Sequence, residues 1–348
     1  MSEADFRAKR RQKFLTEKYF LLNKDDIERT FEAIDIGRRV HAEQGKISAS
    51  NDGASFKEAL RLVRLHYTAG ATIESLRPLF AEVMKWFVEW HRAEEAYSKW
   101  LAKKQADDLR TDMSPVEFGE LFHFQLALDV VSLGILLGEG DSVRNAASLM
   151  QCARHTDMLF ETLIESSVPD PDTTVTEFFH NRPYDPLLDA VYSAETPEAA
   201  SAFVKTYLDG WYKAFEGVPW HNGHLVMTNE YSNYEGYWAF EAAAVCVLKG
   251  INDTSFRDHL VYPKDLADWA RAHNVADLVK FGSRPIGLAA QTLRCAANHP
   301  CPQTCWWMTP AKAGSRRYFN EGEIMPSLGG DYGLTIWQWD VDQSAPKL

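Results

Sequence analysis

Apolar residues recur three and four positions apart along most of this chain, and that spacing predicts amphipathic α-helices. The segment 114–137 is the most apolar of them, so we expect its helix to lie at the centre of the core. We predict helices over residues 24–42, 54–69, 73–104, 114–137, 141–167, 185–192, 196–215, 237–249 and 263–276.

The pattern changes near residue 282, after which Pro, Gly and Trp are frequent and the helical period is lost. Short alternating runs at 317–319, 322–326 and 335–340 are typical of β-strands separated by turns. The predicted fold class is therefore mainly α, a multi-helix bundle-like array with a small β-rich C-terminal appendage. We predict three regions: 1–112 (N-terminal, helical), 113–281 (C-terminal, helical) and 282–348 (β-containing extension).

The composition is that of a globular protein, because 45% of the 348 residues are hydrophobic and eleven are Trp. The N-terminus lacks the apolar segment of a signal peptide, and no run of eighteen apolar residues occurs. We therefore expect a soluble, cytoplasmic protein without membrane contact. Five cysteines are an odd number and few for this length, so we interpret them as reduced thiols.

The net charge of −12 is concentrated in one part of the sequence. Residues 156–245 hold fifteen acidic and three basic residues, which accounts for the whole net charge. Such a field repels nucleic acid and attracts a basic protein partner, whose association it accelerates. A solvated face that only aids solubility is the alternative. The N-terminal basic run from Arg7 to Lys13 resembles a nucleic-acid patch, but a solvated helix face explains it as well.

Glu241 is unusual because it lies on a helical stripe among aromatic residues and alanines. Burial of a carboxylate is costly unless hydrogen bonds compensate for it. One interpretation is a structural glutamate that accepts hydrogen bonds from Tyr, Trp or backbone donors. The other is a functional acid with a shifted pKa.

The sequences GYWAFEAAAV (236–245) and DTSFRDHLVYPKDLADWAR (253–271) resemble the C-terminal domain of the PoNi family. That family comprises immunity proteins that neutralise PoNe-type polymorphic DNase toxins, which bacterial secretion systems deliver. The resemblance extends over residues 150–275, and the preceding segment is similar to related type VI immunity families. The motif residues are Tyr234, Gly236, Tyr237, Trp238, Glu241, Asp253, Tyr262 and Pro263.

The tail resembles, more weakly, a pattern of proteins linked to type VI secretion. That pattern usually has Gly at the position of Cys305, so the corresponding tight turn is in question.

The resemblance implies a non-enzymatic protein, without cofactor or catalytic residue, whose partner is a cognate toxin in interbacterial competition. A nuclease holds phosphates with basic residues, and carboxylates of this chain are suited to occupy that groove. The candidate toxin-binding residues are Asp170, Asp172, Glu177, Asp185, Asp189, Glu195 and Glu198. Phe178, Phe179, Tyr184 and Tyr192 interleave with these acids and are candidate apolar contacts.

Alternatives remain at this point. A helical, hydrolase-like enzyme would use Glu241 with His221, His224 or His259. A scaffold would form a homodimer through a Trp-rich face. Cys295, His299, Cys301 and Cys305 crowd together, but their spacing is wrong for a zinc ribbon or finger, so we expect no metal. No P-loop, dinucleotide fingerprint or nucleophile elbow is present in the sequence.

Overall fold

The computed structural model describes residues 3–43, 52–104, 116–228, 232–282, 294–302, 304–309, 312, 314–328 and 335–339. The chain divides into two compact units, Met1–Ser283 and Arg284–Leu348. The predicted boundary after residue 112 lies outside the described residues. Residue 283, where the two units meet along the chain, also lies outside them.

All regular secondary structure in the described part of the first unit is helical. Its helices are α1 (Glu3–Lys9), α2 (Glu17–Glu43), α3 (Asp52–Thr68), α4 (Ile73–Lys104), α5 (Leu121–Leu136), α6 (Gly140–Leu149), α7 (Met158–Ile164), α8 (Asn181–Tyr192), α9 (Pro197–Ala214), α10 (Phe240–Lys249), α11 (Lys264–Ala272) and α12 (Val275–Leu278). Short 3₁₀ turns occur at Gln151–Ala153 and Gly223–Leu225. The predicted mainly α fold class is confirmed.

Helix α5 lies at the centre of this unit, as its apolar sequence predicted. Every residue from Phe124 to Leu136 is buried, and α5 packs against α4, α6, α7, α10, α11 and α12. A helix that is apolar on all sides is stable only in such surroundings. Helices α3 and α4 pack along each other, as do α8 and α9.

The single helix predicted over 141–167 is wrong, because three separate elements occupy that segment. His155 has a φ of 67°, which no α-helix accommodates. Asp157 then caps α7 by accepting a hydrogen bond from the amide of Phe160 at 2.9 Å. Helix α5 also begins at Leu121, later than the predicted start at 114.

The second unit contains a four-stranded antiparallel sheet in the order β1-β4-β2-β3. Its strands are β1 (Arg294–Ala296), β2 (Cys305–Met308), β3 (Arg317–Phe319) and β4 (Ile336–Trp339). The predicted strands at 317–319 and 335–340 are confirmed as β3 and β4, whereas β1 and β2 were missed. The segment 322–326 was also predicted as a strand, but it belongs to none of these four strands; its Ile324 forms an isolated β-bridge with Pro300.

A small separate core stabilises this sheet, with Trp307 and Trp337 fully buried beside Met325. Cys305 begins β2, where it pairs with Phe319 in place of forming a tight turn.

Within the described residues, no helix combines the length and the hydropathy that a bilayer crossing requires.

Candidate functional site

The seven candidate toxin-binding carboxylates come from one loop and one helix pair; we call them the acidic surface. Asp170, Asp172 and Glu177 lie in the loop between α7 and α8. Asp185 and Asp189 lie on α8, Glu195 in the α8–α9 turn and Glu198 in the first turn of α9. Asp170, Glu177, Glu195 and Glu198 are exposed, and the other three are partly exposed.

Buried charged residues hold the loop between α7 and α8 in place. Arg154, which is 5% exposed, donates hydrogen bonds to Glu161 Oε1 at 2.8 Å and to the carbonyl of Asp170 at 2.9 Å. Asp157 accepts from the amide of Phe179 at 3.0 Å, which ties the end of the loop to the start of α7. The loop is therefore fixed at both ends, and such anchoring lowers the entropy that binding has to remove.

Two carboxylates of the loop already have partners. Asp170 lies 3.3 Å from the Arg154 guanidinium, and Asp172 lies 2.8 Å from Nδ1 of His155. Hydrogen bonds from Thr174, and then from His155, lower the pKa of Asp172 to about 2. Glu177, Glu195 and Glu198 have no ion-pair partner in the described part of the chain, which leaves them available to a partner's cations.

The aromatic candidates fall into two groups. Phe179 is 46% exposed and Tyr192 is 52% exposed, and both lie close in sequence to the carboxylates. Phe178 is partly buried. Tyr184 is only 1% exposed, so its prediction as a contact residue is wrong; its ring packs inward against Tyr207.

The motif segment 234–238 is held inside the protein by the N-terminal residues. The amide nitrogen of the Gln12 side chain donates to the carbonyls of Tyr237 and Leu260 at 2.7 and 2.9 Å. Its oxygen accepts from the Tyr234 hydroxyl and the Tyr237 amide at 2.7 and 2.9 Å. A fully satisfied buried amide of this kind fixes one arrangement of the segments it joins.

Gly236 is required by its surroundings. Its φ is 103°, and a Cβ there would lie 2.1 Å from Thr68 Oγ1 and 2.4 Å from Trp238 Nε1. Those two atoms form a hydrogen bond of 2.9 Å with each other, so α3 and the motif segment approach closely.

A buried ion triad joins α3, α5 and the motif segment. Arg64 donates hydrogen bonds to Asp129 and to Glu235, and all three residues are less than 8% exposed. Burial raises the pKa of Asp129 to about 6, although Arg64 opposes that shift. A buried triad is costly to break, because removal of one partner leaves an uncompensated charge.

Glu241 is 1% exposed and lies in the first turn of α10. Its Oε1 accepts hydrogen bonds from the Tyr207 hydroxyl and from Trp211 Nε1, the latter at 3.1 Å. Burial, and next the negative charge of Asp129, raise its pKa to about 7. Tyr and Trp donors satisfy one oxygen, as the structural interpretation predicted, and the pKa is shifted; a functional role for this acid stays a prediction.

The end of α10 and the start of α11 form the second half of the motif. Gly250 ends α10 with a φ of 69°, as its sequence position indicated. The Tyr262 hydroxyl and Arg271 both donate to Asp253 Oδ2, at 3.0 and 2.6 Å. Pro263 caps the N-terminus of α11.

The three histidines of the enzyme interpretation do not assemble around Glu241 in the described chain. His221 stacks on Tyr212 at 4.4 Å between ring centroids, and His224 bonds to the Tyr237 hydroxyl at 2.6 Å. His259 lies 3.6 Å from Asp209. Acid–base catalysis requires convergent groups, and these groups have separate partners.

An open cavity of about 320 Å³ lies beside the N-terminal basic run. Arg11 at its wall donates to Asp265 at 2.8 Å and to the carbonyls of Tyr67 and Ala71 at 2.6 and 2.9 Å. Lys264 in the same wall pairs with Asp258. Part of the basic run therefore stabilises the fold, an outcome that neither sequence interpretation anticipated.

Among the described residues, no group of three or more His, Cys, Asp or Glu is arranged to hold a metal ion. Cys295, Cys301 and Cys305 are buried in the core of the second unit, and none of the three forms a disulfide.

The internal residues Gln12 and Arg64 were missed by sequence reasoning. The sequence does indicate that Asp129 is a buried polar residue, since it interrupts the most apolar segment of the chain. Arg64 left such a signal as well, because it lies between the core residues Val63 and Leu65 of α3. Gln12 left none, as it lies within the basic run of the polar N-terminus.

Comparison with known proteins identifies one domain. Residues 155–266 match the family described as PoNe immunity proteins (PoNi), C-terminal. No curated protein sequence matches the chain. The fold is similar to that in the crystal structure of protein PA2201 from Pseudomonas aeruginosa, with 19% sequence identity and a TM-score of 0.54. That likeness covers 79% of this chain and 90% of the other, and it supports the helical fold.

Proposed function

We propose that this protein is an immunity protein that binds and neutralises a cognate secreted toxin, because residues 155–266 match the C-terminal domain of the PoNi family. The family match is the observation that carries the proposal. It favours a binding protein over an enzyme, as do the separate partners of Glu241 and the histidines in the described chain. The setting we propose is the cytoplasm of a bacterium protected against polymorphic toxins, including those of type VI secretion.

We propose that the toxin is a nuclease and that the acidic surface blocks its nucleic-acid groove. The charge distribution supports this, because residues 156–200 hold ten acidic residues and one basic residue, Arg182. The groove of a nuclease carries cations that neutralise phosphates. Unpaired carboxylates at Glu177, Glu195 and Glu198 match those cations, and exposed Phe179 and Tyr192 add apolar contact area.

The first experiment is co-expression with the toxin-like product of the neighbouring gene, followed by a pull-down. Rescue of growth together with a stable complex is the expected result. Rescue without a complex would instead indicate an enzyme that reverses the damage. Absence of both would contradict the proposal for that toxin.

The acidic surface is tested by the triple reversal Glu177→Lys, Glu195→Lys and Glu198→Lys. Electrostatic steering changes association rates by about 10- to 1,000-fold, so we expect at least about a tenfold slower association with the toxin. The remaining binding should depend less on salt. The matched control reverses Asp26, Glu32 and Glu82, exposed acids of α2 and α4. Equal association rates for the two triple variants would contradict the acidic-surface proposal while leaving the immunity function intact.

A further inference from the structure

Four polar atoms at the interface of α5, α8 and α10 are buried and have no hydrogen-bond partner in the described chain. They are Asp129 Oδ1, Ser132 Oγ, Tyr184 OH and Glu241 Oε2. Each residue is at most 1% exposed. Buried polar atoms almost always have a partner, so four unpartnered atoms at one interface call for a physical account.

The topology brings these atoms together. Asp129 and Ser132 are three residues apart on α5 and therefore lie on one face, and α5 packs against α10, which begins with Glu241. The Tyr184 ring stacks on Tyr207 with centroids 6.0 Å apart, and Tyr207 donates to Glu241. The charges of Asp129 and Glu241 both act on the Tyr184 hydroxyl.

Two carboxylates in such a place repel each other, and the available cation does not neutralise both. Arg64 binds Asp129 through Oδ2, but it also binds Glu235, so its one positive charge is already shared between two carboxyl groups before Glu241 is counted. The hydrogen bonds of Glu241 come from the neutral donors Tyr207 and Trp211. Two ionised carboxylates in low dielectric are far less stable than a pair that carries one proton.

We propose that Asp129 and Glu241 form a buried proton-binding site, which retains one proton at near-neutral pH while internal water links its free oxygens to Ser132 and Tyr184. A water molecule requires two to four polar partners, and the four unpartnered atoms supply them. The proton resides chiefly on Glu241, since Arg64 stabilises the ionised form of Asp129.

Several other charged groups on the elements packed against α10 have partners of their own. They are Glu161 with Arg154 and Asp157 with backbone amides on α7, Arg271 with Asp253 at α11, and Asp277 with Lys280 at α12. On α8, Asp189 accepts from the Ser193 hydroxyl, Asp185 is partly exposed, and Arg182 is exposed. On α5, burial lowers the pKa of His123, which keeps its ring neutral at pH 7. The Asp129–Glu241 pair is therefore the group in this region whose charge changes most readily near neutral pH.

The site makes stability depend on pH in a defined direction. A carboxyl whose pKa is higher in the folded than in the unfolded state stabilises the fold at low pH. That stabilisation is lost as the pH rises from about 4.3, the ordinary value for Glu, to about 7 in the folded protein. Over this window we expect the folding equilibrium constant of the native protein to fall on the order of a hundredfold relative to Glu241→Gln.

Infrared difference spectroscopy tests the proton directly. At pH 6 we expect the C=O band of a protonated carboxyl in the spectrum of the native protein minus that of Glu241→Gln. The matched control, native minus Glu198→Gln, removes an exposed carboxyl and should lack that band. A difference spectrum without the band for Glu241→Gln overturns the proposal.

Glu241→Gln is isosteric with the protonated acid, so we expect it to fold. If it does not, the pH titration of the native band decides. If all protonated-carboxyl signal has already disappeared by pH 5 as the pH is raised, the proposal is overturned. A crystal structure at pH 6 should show water bonded to at least two of the four atoms, and a dry site would overturn the water-linked arrangement.

Discussion

The buried ion triad gives the sharpest prediction, the loss of stability in Arg64→Met. Methionine preserves much of the side-chain volume but removes the cation that binds Asp129 and Glu235. Both carboxyl groups then lie buried without an opposite charge, a situation that costs about 3–5 kcal/mol in other proteins.

The cost has a ceiling because a buried carboxyl can take up a proton. Asp has an ordinary pKa of about 3.9 and Glu one of about 4.3, so protonation of both groups costs about 8 kcal/mol at pH 7 but only about 2.5 kcal/mol at pH 5. We therefore expect Arg64→Met to lower the free energy of unfolding by about 3–5 kcal/mol at pH 7 and by at most about 2.5 kcal/mol at pH 5.

Urea denaturation followed by circular dichroism at both pH values measures this difference. Urea is uncharged and so leaves the ion triad unscreened, unlike guanidinium chloride. Arg29→Met on the exposed face of α2 is the matched control, with an expected change within about 0.5 kcal/mol. A loss below about 1 kcal/mol at pH 7, or an equal loss at both pH values, would refute the reasoning.

Two further substitutions test the packing of the motif segment. Gly236→Ala should destabilise the protein by about 2–4 kcal/mol, since it adds a clash with Thr68 to backbone strain. In the control Gly250→Ala, the new Cβ meets no atom within 4 Å, so only the backbone strain remains and the cost should be about 1 kcal/mol. Equal losses of thermal stability in the two variants would contradict the close approach at Gly236. Gln12→Ala should cost about 2–3 kcal/mol, because it leaves buried backbone and hydroxyl groups unpaired. Exposed Gln151→Ala is its control in the same denaturation assay, and similar midpoints would show that Gln12 does not join the segments.

Local patterns predicted much of the fold. The apolar run of α5 predicted a central helix because a helix without a polar face is stable only when other helices cover it. The Lys249–Gly250 pair predicted the end of α10 because glycine adopts a left-handed conformation at low cost. Helix starts were less predictable: α5 begins at Leu121 although residues 114–117 carry capping signals.

The sequence by itself determined the fold class, the concentration of negative charge in residues 156–245, and the family resemblance of the motif segment. These follow from residue type and spacing along the chain, which do not depend on distant contacts. Only the tertiary structure decided that Tyr184 is buried while Tyr192 is exposed, and that Arg64 binds Asp129 and Glu235. The reason is physical: burial and charge pairing depend on residues 65 and 171 positions apart in the sequence, and spacing within one segment carries no information about them.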